Sequence, residues 1–147
     1  MSAAAEACVF CRIVAGSEAA RVLEDEDCIG FLDRRPVFLG HTLIVPRGHH
    51  STLQDVPAPL LGRLFTDVQL VTEAVERALG ADGAWIAVNN KVSQSVPHVH
   101  VHVVPRRSGD GLKGFFWPRQ RYASDAQMQE TAISLRKAVA ELRQQRP

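Results

Sequence analysis

The densest chemistry in the chain lies in Pro97-His98-Val99-His100-Val101-His102-Val103-Val104-Pro105-Arg106. Three of the six histidines fall here, each two residues from the next. A strand puts residues i, i+2 and i+4 on one face. His98, His100 and His102 then share a face, and Val99, Val101 and Val103 share the other. The β-branched residues between them favour the extended form; a helix would scatter the imidazoles around its circumference. Three readings fit such a row. It can ligate a metal, since neutral imidazole is a common ligand. It can be a nucleophile between orienting groups, active as acid or base near neutral pH. It can also be a solvated histidine face.

Two of the three cysteines are spaced Cys8-x-x-Cys11. An odd count with this spacing is no disulfide framework; it reads as a metal knuckle or a redox pair. Cys28, in Asp27-Cys28-Ile29-Gly30-Phe31, reads as a small buried hydrophobe.

The run His98-Val-His100-Val-His102-Val-Val resembles the histidine triad motif, His-φ-His-φ-His-φ-φ with φ apolar. Gln94-Ser95 before it fits that family. Pro105-Arg106 after it looks more like the dinucleoside-polyphosphate hydrolase branch than the purine phosphoramidase branch. The resemblance runs from Cys8 to about Arg107.

That resemblance implies a nucleotide hydrolase or nucleotidyl transferase acting at the α-phosphorus of a purine nucleotide conjugate: a dinucleoside polyphosphate, a phosphoramidate or an adenylate. It implies His100 as the nucleophile, forming a nucleotidyl-imidazole that water cleaves. His98 and His102 orient it or donate to phosphate oxygens, and His41 matches the additional active-site histidine. Gln94, Ser95 and Asn89 are candidate phosphate contacts, an amide and a hydroxyl being suited to phosphate oxygens. The family loop carries glycines here, whereas Asn89-Asn90-Lys91-Val92-Ser93-Gln94 has none. Without glycine, positive φ is not freely available; Lys91 offers a point charge instead. Asp33 matches the acidic residue that binds the ribose hydroxyls, with a turn-capping Asp as the plain alternative. Val9, Phe10, Ile13 and Phe31 match the apolar positions around the purine, or are simply core. Cys8, Cys11, His49 and His98 match a structural zinc site, with His50 a weaker substitute for His49. A homodimer pairing the long helix and a sheet edge is implied too. Three rivals stand beside this: a phosphorylase, with phosphate resolving the intermediate, a nucleotide-binding module without turnover, and a metal-binding protein in which the three histidines themselves ligate.

These side chains need a scaffold. A length of 147 residues suits one domain with a real core. Cys8–Val14 reads as a short helix closed by Gly16. Ala20–Glu24, Cys28–Leu32, His41–Val45, Ala84–Val88 and His98–Val104 read as strands. Apolar spacing marks a helix over Leu60–Leu79, ended by Gly80, with Asp55 as its cap. A last helix runs from Ser124 or Asp125 to about Arg143. Runs of strands with one inserted and one appended helix argue α+β with an antiparallel sheet.

The chain is thus expected to be one domain over 1–147, with a disordered start over 1–7 and a C-terminal extension over 108–147. That extension holds an aromatic and basic stretch, Gly109 to Tyr122, suited to a leaving group's phosphates or base. A net charge near +1 gives no polyelectrolyte signal for nucleic acid or a membrane surface. No apolar run is long enough to span a bilayer, and the Ala-rich start lacks a signal-peptide pattern. The cytoplasm is the default.

Overall fold

The computed structural model describes residues 3–113 and 120–146. The chain divides into two compact units, Met1–Asp110 and Gly111–Pro147, a division just past the expected start of the C-terminal extension. The first unit holds α1 (Ala3–Ala7), α2 (Val9–Val14), β1 (Arg21–Glu24), β2 (Cys28–Leu32), β3 (Thr42–Pro46), α3 (Ala58–Leu79), β4 (Gly83–Ala87) and β5 (Val101–Arg106). The strands form one antiparallel sheet, order β1-β2-β3-β5-β4. The fold is α+β, as the pattern of strands and helices predicts.

Alternation decides what each face of the sheet carries. Cys28, Ile44, Val101 and Val103 pack against Leu64, Val68, Val71 and Val75 of α3. Ile29, Phe31, Leu43 and Val45 face the other way, onto Cys8 and Phe10. Leu43 pairs with His102 across the β3–β5 ladder, and directly paired residues share a face. His102 therefore lies on the α2 side while Val101 and Val103 are buried under α3.

Three expectations shift. Residues 3–7 are helical, with Ala5 buried, rather than a disordered lead-in. The last strand begins at Val101, not His98, because the Val99 N–H is taken by the His50 carbonyl (2.7 Å) and Pro97 has none to give. Asp55 does not cap the long helix. It forms a reciprocal cap with Thr52 on a 3-10 turn, Leu53–Asp55, and α3 starts after Pro57. Of the aromatic and basic stretch over 109–122, residues 114–119 lie outside the described residues. Gly80, by contrast, ends α3 in the left-handed conformation its position suggested (φ 62°). In the second unit α4 (Asp125–Gln145) is capped by the Ser124 side chain, and none of its residues is buried. No helix among the described residues is long and apolar enough to cross a membrane.

The α3 stripe contains one residue that apolar spacing does not reveal. Asp67 is 4% exposed, and its Oδ2 has no hydrogen-bond partner among the described residues. Burial, and then the nearby Asp25 carboxylate, push its pKa up to about 6. The folded state therefore holds this proton more tightly than the unfolded chain. Ionisation costs stability, a cost absent near pH 4 and complete above about pH 6. Asp67→Asn should be more stable than the parent at pH 8, on the order of 1–3 kcal/mol, with the gap closing toward pH 4. Urea unfolding at both pH values checks this; an equal gap at both would contradict it.

Candidate active site and metal cluster

At the N-terminal end of α2, Cys8 precedes the first turn and Cys11 lies within it, so the i, i+3 spacing brings both sulfurs together. His49 follows β3 and His98 precedes β5. The ligand atoms of all four lie within 4.8 Å of one another. His98 Nδ1 is 3.5 Å from each sulfur, and His49 Nδ1 is 3.3 Å from Cys11 Sγ. Zinc bonds of about 2.3 Å to sulfur and about 2.0 Å to nitrogen put S and N roughly 3.5 Å apart on a tetrahedron. The donor set and its spacing fit that ion. His98 Nε2–H donates to the Pro46 carbonyl (2.8 Å), which leaves Nδ1 free toward the sulfurs. Burial, then Cys8, pushes the Cys11 thiol up to about 11; a cation is what would hold it as thiolate. Cys28 lies apart, fully buried on the α3 face, and its thiol is pushed up to about 12 by burial. It is the inert hydrophobe its surroundings in the sequence suggested.

The next imidazole takes its tautomer from the first residue's backbone. His100 Nδ1–H donates to the His98 carbonyl (2.7 Å), because a carbonyl can only accept. Its Nε2 is left with a lone pair. Phe10 packs edge-on against both rings, with centroids 5.9 Å from His98 and 5.1 Å from His100. His102 follows at 5.0 Å from His100, and its Nδ1 lies 2.9 Å from His41 Nε2. Burial lowers the pKa of His41 and His100 and takes His102 down to about 4. These three imidazoles are neutral near pH 7, as a nitrogen nucleophile must be.

His41 reaches this row because Gly40 turns the chain at φ 96°. That positive φ favours glycine, and a Cβ there would also displace the Leu79 side-chain end, 2.3 Å away at Cδ1.

Beside the imidazoles opens a cleft of about 860 Å³, lined by Val9, Phe10, Ile13, Phe31, Leu43 and Asp33 among others. The Phe10 and Phe31 rings meet edge-to-face at 5.4 Å. Asp33 is a turn cap that also stands at the cleft. Its Oδ1 accepts the Arg35 N–H (2.8 Å), a turn cap, while Oδ2 stays 3.8 Å from His41 Nδ1 at the cleft wall. Arg12 and Arg34 also line the cleft; nothing in their spacing along the chain singled them out.

The loop residues are arranged differently. Asn89 and Ser95 are exposed. Gln94 has both ends of its amide engaged: Oε1 accepts from Lys91 N–H (2.9 Å) and Nε2 donates to the Ser51 carbonyl (2.6 Å). Among the described residues, none of the three has a hydrogen bond to the triad. Asn90, not Asn89, ties the loop down, accepting from Leu53 N–H and donating to Gln54. The glycine-free segment does adopt left-handed backbone, at Lys91 (φ 70°) and Ser93 (φ 58°). That costs about 1–2 kcal/mol per residue, offset by the hydrogen bonds that staple the loop to residues 51–54.

The HIT domain family model matches residues 15–109. The chain belongs to the HIT family. An adenylylsulfatase, HINT3, of Arabidopsis thaliana is 36% identical over 108 residues, which cover 71% of this chain and 55% of that protein. The chain thus spans just over half the length of that relative. The adenosine 5'-monophosphoramidase HNT1 of Saccharomyces cerevisiae is 33% identical, covering 78% of this chain and 72% of that one. The crystal structure of a zinc-bound histidine triad family protein from Mycobacterium smegmatis superposes with a TM-score of 0.71 at 38% identity, covering 97% of this chain and 99% of that chain.

Proposed function

We propose that the protein is a nucleotide hydrolase or nucleotidyl transferase that cleaves purine nucleotide conjugates through a nucleotidyl-His100 intermediate. The observation that carries this is the 2.7 Å bond from His100 Nδ1 to the His98 carbonyl, which leaves Nε2 with its lone pair on a ring packed against Phe10, itself a wall of a nucleoside-sized cleft. The base enters between Val9, Phe10, Ile13 and Phe31, and the Asp33 carboxylate accepts from the ribose hydroxyls. His102 and His41 complete the phosphate end, and Asn89 and Ser95 supply further donors from the loop. Two relatives named for cleaving adenylyl conjugates support hydrolase chemistry in general.

Zinc held by Cys8, Cys11, His49 and His98 would pin α2 to the segments entering and leaving the sheet. It supplies structure there, and the bond-breaking falls to the imidazoles. In the same reading two copies pair through α3 and the edge strand β4, where Phe65, Leu70 and Ile86 are exposed; light scattering should return the mass of a dimer, and a monomer would refute the pairing.

Turnover of a dinucleoside polyphosphate, a nucleoside phosphoramidate and an acyl adenylate, compared between wild type and His100→Ala, tests the function. Wild type should cleave at least one, and the variant should lose about 1,000-fold or more. Binding without turnover in both proteins would leave a nucleotide-binding module instead. Elemental analysis should find zinc in stoichiometric amount, lost in Cys11→Ser; full zinc in that variant would rule out this ligand set.

A further inference from the structure

The walls of the cleft are apolar, but one end of it carries charge. Phe10 touches His98 and His100, and Ile13 lies one turn further along α2. Gly16, at φ 116°, turns the chain back after the helix, and the Ser17 N–H closes on the Arg12 carbonyl (2.9 Å). The Ala20 carbonyl then accepts the Leu32 N–H (2.9 Å), which brings residues 18–20 alongside the end of β2. Arg12, Glu18 and Asp33 line one cleft as a result. Glu18 is exposed, and among the described residues it has no hydrogen bond and no ion pair, although Arg12 and Arg34 line the cleft with it. Arg12 is held at Nη1 by the Ala7 carbonyl (3.2 Å), and its other guanidinium N–H groups have no acceptor among the described residues.

We infer that Glu18, assisted by Arg12, reads the edge of the base and makes the cleft select guanine over adenine, so that the conjugates cleaved are those of guanosine. The inference rests on the proposed binding of a purine nucleotide, with its base between Phe10, Ile13 and Phe31 and its ribose at Asp33, and it names the base.

Contact with apolar side chains supplies affinity without choice, because every purine offers a similar π-face. Choice has to come from the edge. Guanine presents two donors there, N1–H and the N2 amino group, and carries acceptors at O6 and N7. Adenine has the opposite order, a lone pair at N1 and an amino group at N6. An ionised carboxylate can only accept, and a guanidinium can only donate. Glu18 therefore matches the N1–H and N2–H pair of guanine, and Arg12 matches O6. Against adenine, the carboxylate would meet the N1 lone pair and the guanidinium the N6 hydrogens.

The placement of the charges fits this division of labour. Asp33 lines the cleft next to His41, and Arg34 follows it, at the end where sugar and phosphate belong. Arg12 lies on α2 and Glu18 just beyond it, past the Phe10 that packs on His100. Water competes for an exposed carboxylate, so a matched hydrogen bond adds little by itself. The mismatch carries the discrimination, because it sets acceptor against acceptor and donor against donor. One bidentate pair separates the right base from the wrong one by about tenfold or more.

Calorimetric titration with three nucleotides tests this. Wild type should hold GMP about tenfold or more tightly than AMP, with IMP, which keeps N1–H and lacks the amino group, in between. In Glu18→Gln the side-chain oxygen can accept from N6 and the amide N–H can donate to N1, so the preference should vanish or turn toward AMP. Arg12→Ala should narrow the ratio. Glu26→Gln removes an exposed carboxylate outside the cleft and should keep the wild-type ratio. Equal binding of GMP and AMP by wild type, or an unchanged ratio in Glu18→Gln, would overturn the inference. The ratio is read without turnover and so stands apart from the chemistry. A GMP preference with no cleavage of any guanosine conjugate would sink the proposed hydrolase and leave the guanine reader intact, whereas binding of neither nucleotide would sink both.

Discussion

Everything at this site depends on the two commitments of His98. Its ring is fully buried and fixed by the Pro46 carbonyl on one nitrogen, with the two cysteine sulfurs on the other. Its own carbonyl holds the Nδ1–H of His100. One residue therefore joins the Cys8–Cys11–His49–His98 cluster to His100, the proposed nucleophile, through a single peptide unit. Displacing the ring would displace the carbonyl, and with it the direction of the His100 lone pair. Loss of about 1 Å of precision at a reacting atom is enough to remove much of a rate advantage. The structural cluster and the chemistry are thus mechanically one object, although they use different atoms.

Around this the protein keeps three further imidazoles dry. Burial disfavours charge, so His41, His100 and His102 are all lowered from their ordinary values. A neutral, preorganised site serves a nitrogen nucleophile well, since no ion must be desolvated as the bond forms. The entrance to β5 is secured by hydrogen bonds from the loop after β3: His50 holds Val99, Ser51 holds Gln94, and Leu53 holds Asn90. Left-handed backbone at Lys91 and Ser93 is the strained part of that arrangement. It persists because the neighbouring contacts over-determine it.

Much of this was legible in the chain. Alternation of His and Val placed the imidazoles on one face, and the five strands and two long helices follow from apolar spacing and from stops such as Gly80. The family resemblance already groups Cys8 and Cys11 with His49 and His98, and their ligand atoms do lie together. What was not legible is instructive. The ladder starts three residues late because Pro97 offers no N–H and Val99 bonds to a loop, a tertiary event with no local signature. Asp67 reads as a solvated helix residue and is buried. Gln94 carries a motif identity, yet its side chain is engaged by Lys91 of its own loop and by Ser51 of the loop after β3.

The central claim is a covalent nucleotidyl-His100 and therefore two displacements at phosphorus. The stereochemical course at an isotopically chiral α-phosphorothioate tests it most directly. Two in-line displacements invert twice, so the account predicts net retention. Net inversion would mean that water attacks the substrate directly, and His100 would not be the nucleophile.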